Sequence, residues 1–117
     1  KDYCIMEIME RWQKNIVQEM AQQLGGNRLI AATGVRLHSC INNLQQIELI
    51  AVIPRQAKNG INTVKVAYNG GMDSYVMTFM NTRLKLGAEN QIIKKYDEVY
   101  CDQLIELFEL ETGLIIL

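Results

Sequence analysis

The tripeptide Asn69-Gly70-Gly71, set between two runs that alternate apolar and polar residues, constrains the fold more than any other feature of the chain. Residues 63–68 place Val64, Val66 and Tyr68 on one side and Lys65 on the other. Residues 74–80 return with Tyr75, Met77 and Phe79 on one side. A period of two marks a strand with one buried face. Asn-Gly tolerates the positive φ that a tight hairpin turn needs. The chain therefore builds at least one antiparallel pair, and the apolar side of that pair requires a cover.

The cover is predicted at the two ends. Residues 2–24 read as a helix: Ile5, Ile8, Met9, Trp12, Ile16 and Met20 recur at spacings of three and four, and Val17, Ala21 and Leu24 widen the stripe. Gly25-Gly26 ends it. A second helix is expected over about 99–112, with Cys101, Leu104, Ile105 and Phe108 inward, Asp97, Glu98 and Asp102 at its start, and Gly113 then Leu114 at its end. Between the helices, the apolar run 28–33 reads as a strand, 35–46 is poorly patterned around an Asn42-Asn43 turn, and 47–53 is a strand stopped by Pro54. Residues 57–62 read as a loop. Residues 83–86 and 91–94 read as a further hairpin about 87–90.

The expected architecture is a single α+β domain over 1–117: an N-terminal helix, an antiparallel meander of four to five strands and a C-terminal helix, with both helices on one face of the sheet. Its core is expected to include Trp12, Ile16, Met20, Leu29, Ala31, Val64, Val66, Tyr75, Met77, Phe79, Leu104 and Phe108.

Several chemistries are disfavoured. About half of the residues are apolar and about a fifth charged, as in ordinary globular domains. A net charge of −1 gives no overall pull toward nucleic acid or anionic membrane. No apolar run approaches the roughly 20 residues of a membrane helix, and the opening Lys-Asp is not expected to begin a signal peptide. Cys4, Cys40 and Cys101 are odd in number and scattered, without a Cys-x-x-Cys pair. They read as buried small hydrophobes in a reducing compartment, the cytoplasm, rather than as disulfides or zinc ligands.

His38 is the single histidine. Cys40, two residues on, would share its strand face, but nothing marks an orienting partner for a thiol dyad. Gly25-Gly26-Asn27 leads out of a helix, the reverse of a phosphate-cradling loop. The acids Asp97, Glu98, Asp102, Glu106, Glu109 and Glu111 read as a solvated face or as a docking surface for a basic partner. No catalytic residue, cofactor, metal site or small-molecule substrate is expected.

The strings Gly25-Gly26-Asn27-Arg28, Ile30-Ala31-Ala32-Thr33-Gly34, Ala57-Lys58-Asn59-Gly60-Ile61-Asn62, Met72-Asp73-Ser74-Tyr75, Val99-Tyr100-Cys101-Asp102-Gln103-Leu104 and Thr112-Gly113-Leu114 carry a resemblance. They look like those of small uncharacterised proteins carried by bacterial phages and mobile elements. The resemblance runs from about residue 16 to the end. It implies a bacterial cytoplasmic setting and a mobile-element origin, and it transfers no catalytic residue.

Charge is unevenly spread. Residues 28–95 hold nine bases against three acids, a net +6, whereas 97–111 carry −6. Two classes of function follow. The first is a non-enzymatic interaction or regulatory protein, homo-oligomeric or bound to another protein, with modulation of a host system as one form of that role. Its expected interface is Ile5, Met6, Ile8, Met9 and Trp12, because a helix over 2–24, on the order of 35 Å long, would overhang strands of about 17–23 Å. The alternative is a nucleic-acid-binding accessory protein using a basic sheet face, with Lys65, Arg83 and Lys85 as contacts.

Overall fold

In the computed structural model, the described residues are 10–41, 45–82 and 91–116. They form an α+β fold: an N-terminal helix, a five-stranded antiparallel meander and a C-terminal helix. Helix α1 is Arg11–Gln23 and a short helix α2 is Asn27–Thr33. The strands are β1 Arg36–Ile41, β2 Ile47–Val52, β3 Thr63–Asn69, β4 Ser74–Asn81 and β5 Gln91–Val99. One 3-10 turn, Lys58–Gly60, lies between β2 and β3, and another, Cys101–Gln103, leads into α3, Leu104–Thr112. The strands lie side by side in chain order. No helix among the described residues is long and apolar enough to cross a membrane.

The register explains the core. Leu49 pairs with Val66 and Val66 with Met77; Ala51 pairs with Val64 and Val64 with Phe79. Cross-strand partners in an antiparallel pair share a face, so these rows form one apolar floor. Val17, Met20 and Leu24 of α1, Leu29 of α2, Leu104 and Phe108 of α3, and Ile116 pack on it in one continuous buried cluster. All helices therefore cover the same side. Gly113 ends α3 in the left-handed region at φ 74°, as its place after Thr112 predicts. Tyr96 of β5 ties the sheet to α3 by donating its hydroxyl to Glu111 Oε2 at 2.5 Å.

Five expectations are corrected. The helix expected over 2–24 starts at Arg11, because Glu10 has extended backbone at ψ 161° and caps it, so the overhang drawn from a continuous helix does not follow. Residues 28–33 are helical, not extended. Leu29 and Thr33, one turn apart, are buried while Ile30 and Ala31 are exposed, the mark of a helix face. Thr33 Oγ1 donates to the Leu29 carbonyl at 2.6 Å, and the Arg55 guanidinium donates to the Ala32 carbonyl at 3.1 Å, satisfying a carbonyl that the helix end leaves open. Ala31 consequently leaves the core.

Trp12 leaves it too, at 55% exposed. The buried stripe of α1 is Val17–Met20–Leu24, roughly a quarter-turn around the helix from the row Trp12–Ile16–Glu19–Gln23. Ile16 is half-buried at the border between the two.

The final strand runs to Val99, so Asp97 and Glu98 belong to β5 and not to the helix start. Edge strands commonly carry such charges, which discourage pairing with another chain. Cys101, in the 3-10 turn, is exposed rather than inward. The expected strand 83–86, its turn at 87–90, the Asn42-Asn43 turn and Cys4 lie outside the described residues.

Candidate functional site

Of the row Trp12–Ile16–Glu19–Gln23, only Ile16 packs against the core cluster; the row lines a groove. One cleft of about 270 Å3 is bounded by Ile16, Glu19 and Gln23 of α1, Tyr68 of β3, Asp73 and Tyr75 at the β3–β4 turn, and Tyr100 and Cys101 after β5. A second cleft of about 230 Å3 is bounded by Trp12, Gln45, Gln46, Ile47, Tyr68, Asn69 and Gly70. Tyr68 is the shared wall, so the two clefts adjoin along one flank of α1.

Local structure positions each wall. The loop after β3 holds four residues, 70–73, and Met72 N–H donates to the Asn69 carbonyl at 3.3 Å. The Asn69-Gly70-Gly71 signal thus marks a true hairpin, but the positive φ falls on Asp73, at 51°, not on Gly70 or Gly71. Gly70 serves the site through close packing. A Cβ there would sit 3.3 Å from the Tyr68 ring, so glycine lets that ring lie across the turn. The pairing of Tyr75 with Val99 brings Tyr100 and Cys101 beside the turn. Gln103 holds that corner: its Oε1 accepts from Tyr100 N–H at 3.0 Å.

The cleft has an ordered polar floor. The Tyr75 hydroxyl donates to Gln23 Oε1 at 2.6 Å, and Gln23 Nε2 donates to Glu19 Oε1 at 3.2 Å. This relay fixes the glutamate from a nearly buried tyrosine outward. The Tyr68 and Tyr75 rings sit 5.7 Å apart and tilted by 50°, within the range of favourable aromatic pairs.

Burial, first, and then the negative charge of Glu19, with Cys101, Tyr68 and Asp73 adding to it, push the Tyr75 phenol up to about 12. A phenol whose folded value lies above its unfolded value of 10 stabilises the fold fully below pH 10 and loses that contribution as pH rises toward 12. Solvent screening at the open cleft holds that loss to on the order of 1 kcal/mol. The Tyr75→Phe variant should be about 1 kcal/mol less stable near pH 8, through its lost hydrogen bond, yet show a shallower decline above pH 10. Urea midpoints at pH 8, 10 and 11.5 would show this, and parallel decline of both proteins would contradict it. Tyr96 is raised in the same direction, chiefly by its hydrogen bond to Glu111, so Tyr96→Phe should flatten the decline above pH 10 as well.

Of the residues expected at an interface, Trp12 stands at the groove's second cleft, its Nε1–H donating to Glu10 Oε2 at 2.7 Å. Ile5, Met6, Ile8 and Met9 lie outside the described residues, as do Arg83 and Lys85. Lys65 is half-buried on the sheet face turned away from the helices. There the register aligns one row across all five strands: His38, Ile50, Lys65, Thr78 and Lys95. His38 and Cys40 share that face, but the Cys40 thiol is buried and lies 3.7 Å from Glu48 Oε1, as donor to it. Among the described residues no group of three or more His, Cys, Asp or Glu side chains could hold a metal ion.

No protein-family model, curated protein or solved structure matches this chain. Its site is therefore read from its own residues. Glu19, Gln23, Asp73 and Tyr100 are not singled out as site residues by sequence reasoning, which reads Tyr68 as a buried strand residue and Cys101 as an inward, structural thiol. The usable signal lies in the strings Met72-Asp73-Ser74-Tyr75 and Val99-Tyr100-Cys101-Asp102, which the strand register places side by side.

Proposed function

We propose that this chain is a non-enzymatic protein-interaction protein, acting in a regulatory role in the bacterial cytoplasm, and that the flank of α1 is its docking groove. The observation that carries this reading is the pair of adjoining clefts with Trp12 at 55% and Tyr100 at 47% exposure. Large aromatic side chains held half in water are what interfaces use as anchors. Here they project from helix and strand ends whose backbone is fixed by the core. The mobile-element setting and a role on a host system rest on the resemblance in the six strings alone.

The test is comparative. The full chain is used to capture proteins from a bacterial lysate and is weighed by light scattering at micromolar concentration, alongside Trp12→Ala and Tyr100→Ala. Either a captured partner or a self-associated mass is expected, and each substitution should weaken it about tenfold or more. If neither a partner nor self-association distinguishes wild type from the variants, the reading fails.

The row His38–Ile50–Lys65–Thr78–Lys95 favours a second reading, a nucleic-acid-binding accessory protein that uses the outer sheet face. Reversing charge at Lys65, Arg83 and Lys85, with Lys95 added, should then abolish binding to a generic duplex, and wild-type affinity should fall steeply with salt. Binding that persists at about 0.5 M salt would contradict that electrostatic account.

A further inference from the structure

We propose that the cleft between α1 and the β3–β4 turn receives a lysine or arginine side chain presented by an extended segment of a partner protein. This rests on the docking-groove reading and specifies its ligand.

Three observations converge. First, the charge lining the cleft has one sign. Among the described residues, Glu19 and Asp73 border it and no lysine or arginine does. Among the described residues, neither carboxylate is paired with a base; Glu19 accepts a hydrogen bond from the neutral Gln23 amide. That amide presets the carboxylate, so less ordering has to occur when a cation arrives. Second, the remaining walls are aromatic. Tyr68 and Tyr75 meet at 50° and so form a corner rather than a flat stack. Tyr100 adds an exposed ring on the side of the turn. Aromatic faces beside carboxylates attract organic cations twice over, through the ring quadrupole and through direct charge. Third, the size suits a side chain. About 270 Å3 falls below the roughly 300–1,000 Å3 of sites for drug-sized ligands.

The neighbouring Trp12 cleft argues that the cation arrives on a polypeptide. It shares the Tyr68 wall and is lined by Trp12, Ile47 and side-chain amides. A segment with a basic residue next to an apolar one would fill both clefts. A phosphate-bearing partner is disfavoured here, because Glu19 and Asp73 would repel it.

The experiment titrates blocked pentapeptides Gly-Gly-Xaa-Leu-Gly, with Xaa as lysine, arginine, norleucine or glutamate, into the isotopically labelled full chain. Amide shifts are followed by NMR. The lysine and arginine peptides should move the amides of Glu19, Asp73 and Tyr100. The Glu19→Gln/Asp73→Asn double variant should bind them about tenfold more weakly while keeping the rest of the wild-type spectrum. Tyr100→Ala should also weaken them. If the norleucine peptide binds as well as the lysine peptide, the cation proposal is overturned while the docking groove survives. If the glutamate peptide or an oligonucleotide moves the same amides, or no peptide moves them, the proposal is overturned outright. The capture and light-scattering results then decide the broader reading separately.

Discussion

Phe79→Ala is expected to lower unfolding free energy by about 3–5 kcal/mol. Phe79 is fully buried at the centre of the apolar floor. It pairs across β3–β4 with Val64, which pairs in turn with Ala51. Its ring meets Tyr96 edge-on, at 6.1 Å and 85°, so truncation removes an aromatic contact along with buried area. It also leaves a cavity that β3 and β5, fixed on either side by the ladder, cannot close. A domain of this size has about 5–15 kcal/mol of stability in total, so the variant should be marginal at 37 °C. Phe79→Leu keeps most of the volume and should cost less than half as much. Urea unfolding with an unchanged slope would report the difference. A loss below about 1 kcal/mol for the alanine variant would mean that the floor is not packed as described.

The strands that matter most to this packing are legible in the sequence because their patterns have one interpretation. Alternation over β3 and β4 admits only a half-buried strand, and Pro54 puts a hard stop on the run through β2. Residues 27–33 are harder. Seven residues with Leu29, Ile30, Ala31 and Ala32 in a row have no period long enough to separate helix from strand. The decision falls to tertiary contacts: Leu29 and Thr33 under the core, and Arg55 at the C-terminal carbonyl. α1 poses the opposite difficulty. Its apolar residues extend around more than one face, so the sequence offers two candidate stripes a quarter-turn apart. The sheet takes the one through Val17, Met20 and Leu24. Asp97 and Glu98 mislead for a physical reason as well, since acids at a helix start and acids on an edge strand look the same in one dimension.

The cleft is not legible as a site because no string that supplies its residues carries a chemical motif, and Glu19 and Gln23 belong to none of them. Glu19 and Gln23 are ordinary polar residues on a helix. Asp73 counts merely as one acid within a basic stretch, although it is the residue that takes the positive φ of the turn. Tyr100 and Cys101 fall in what reads as a helix start. Only the strand register, Tyr68 opposite Tyr75 and Tyr75 opposite Val99, gathers these residues to one end of the sheet. Counting charge by chain segment locates the bases correctly on the middle of the sequence. It cannot find two carboxylates that come together from different segments on the far side of the sheet.

Gly25→Ala is expected to cost about 2–4 kcal/mol, from strain and overlap together. Gly25 joins α1 to α2 at φ 120°, a backbone region that residues with a Cβ rarely enter. A Cβ at this position would also lie 2.9 Å from Ile116 Cγ2 and 3.3 Å from Leu29 Cβ. Both neighbours are buried core members, so neither can swing into solvent. The two causes can be separated. Ile116→Ala removes the closest obstacle and leaves the dihedral unchanged. If overlap dominates, Gly25→Ala should become nearly harmless in the Ile116→Ala background. If the dihedral dominates, its cost should persist there at about 1–3 kcal/mol. We expect the second outcome, because Leu29 Cβ still limits the relaxation and the chain must pass from one helix to the next within Leu24–Asn27. Urea midpoints of the four proteins in this cycle measure it. Full additivity with a Gly25→Ala cost below about 0.5 kcal/mol would show that the α1–α2 corner relaxes freely.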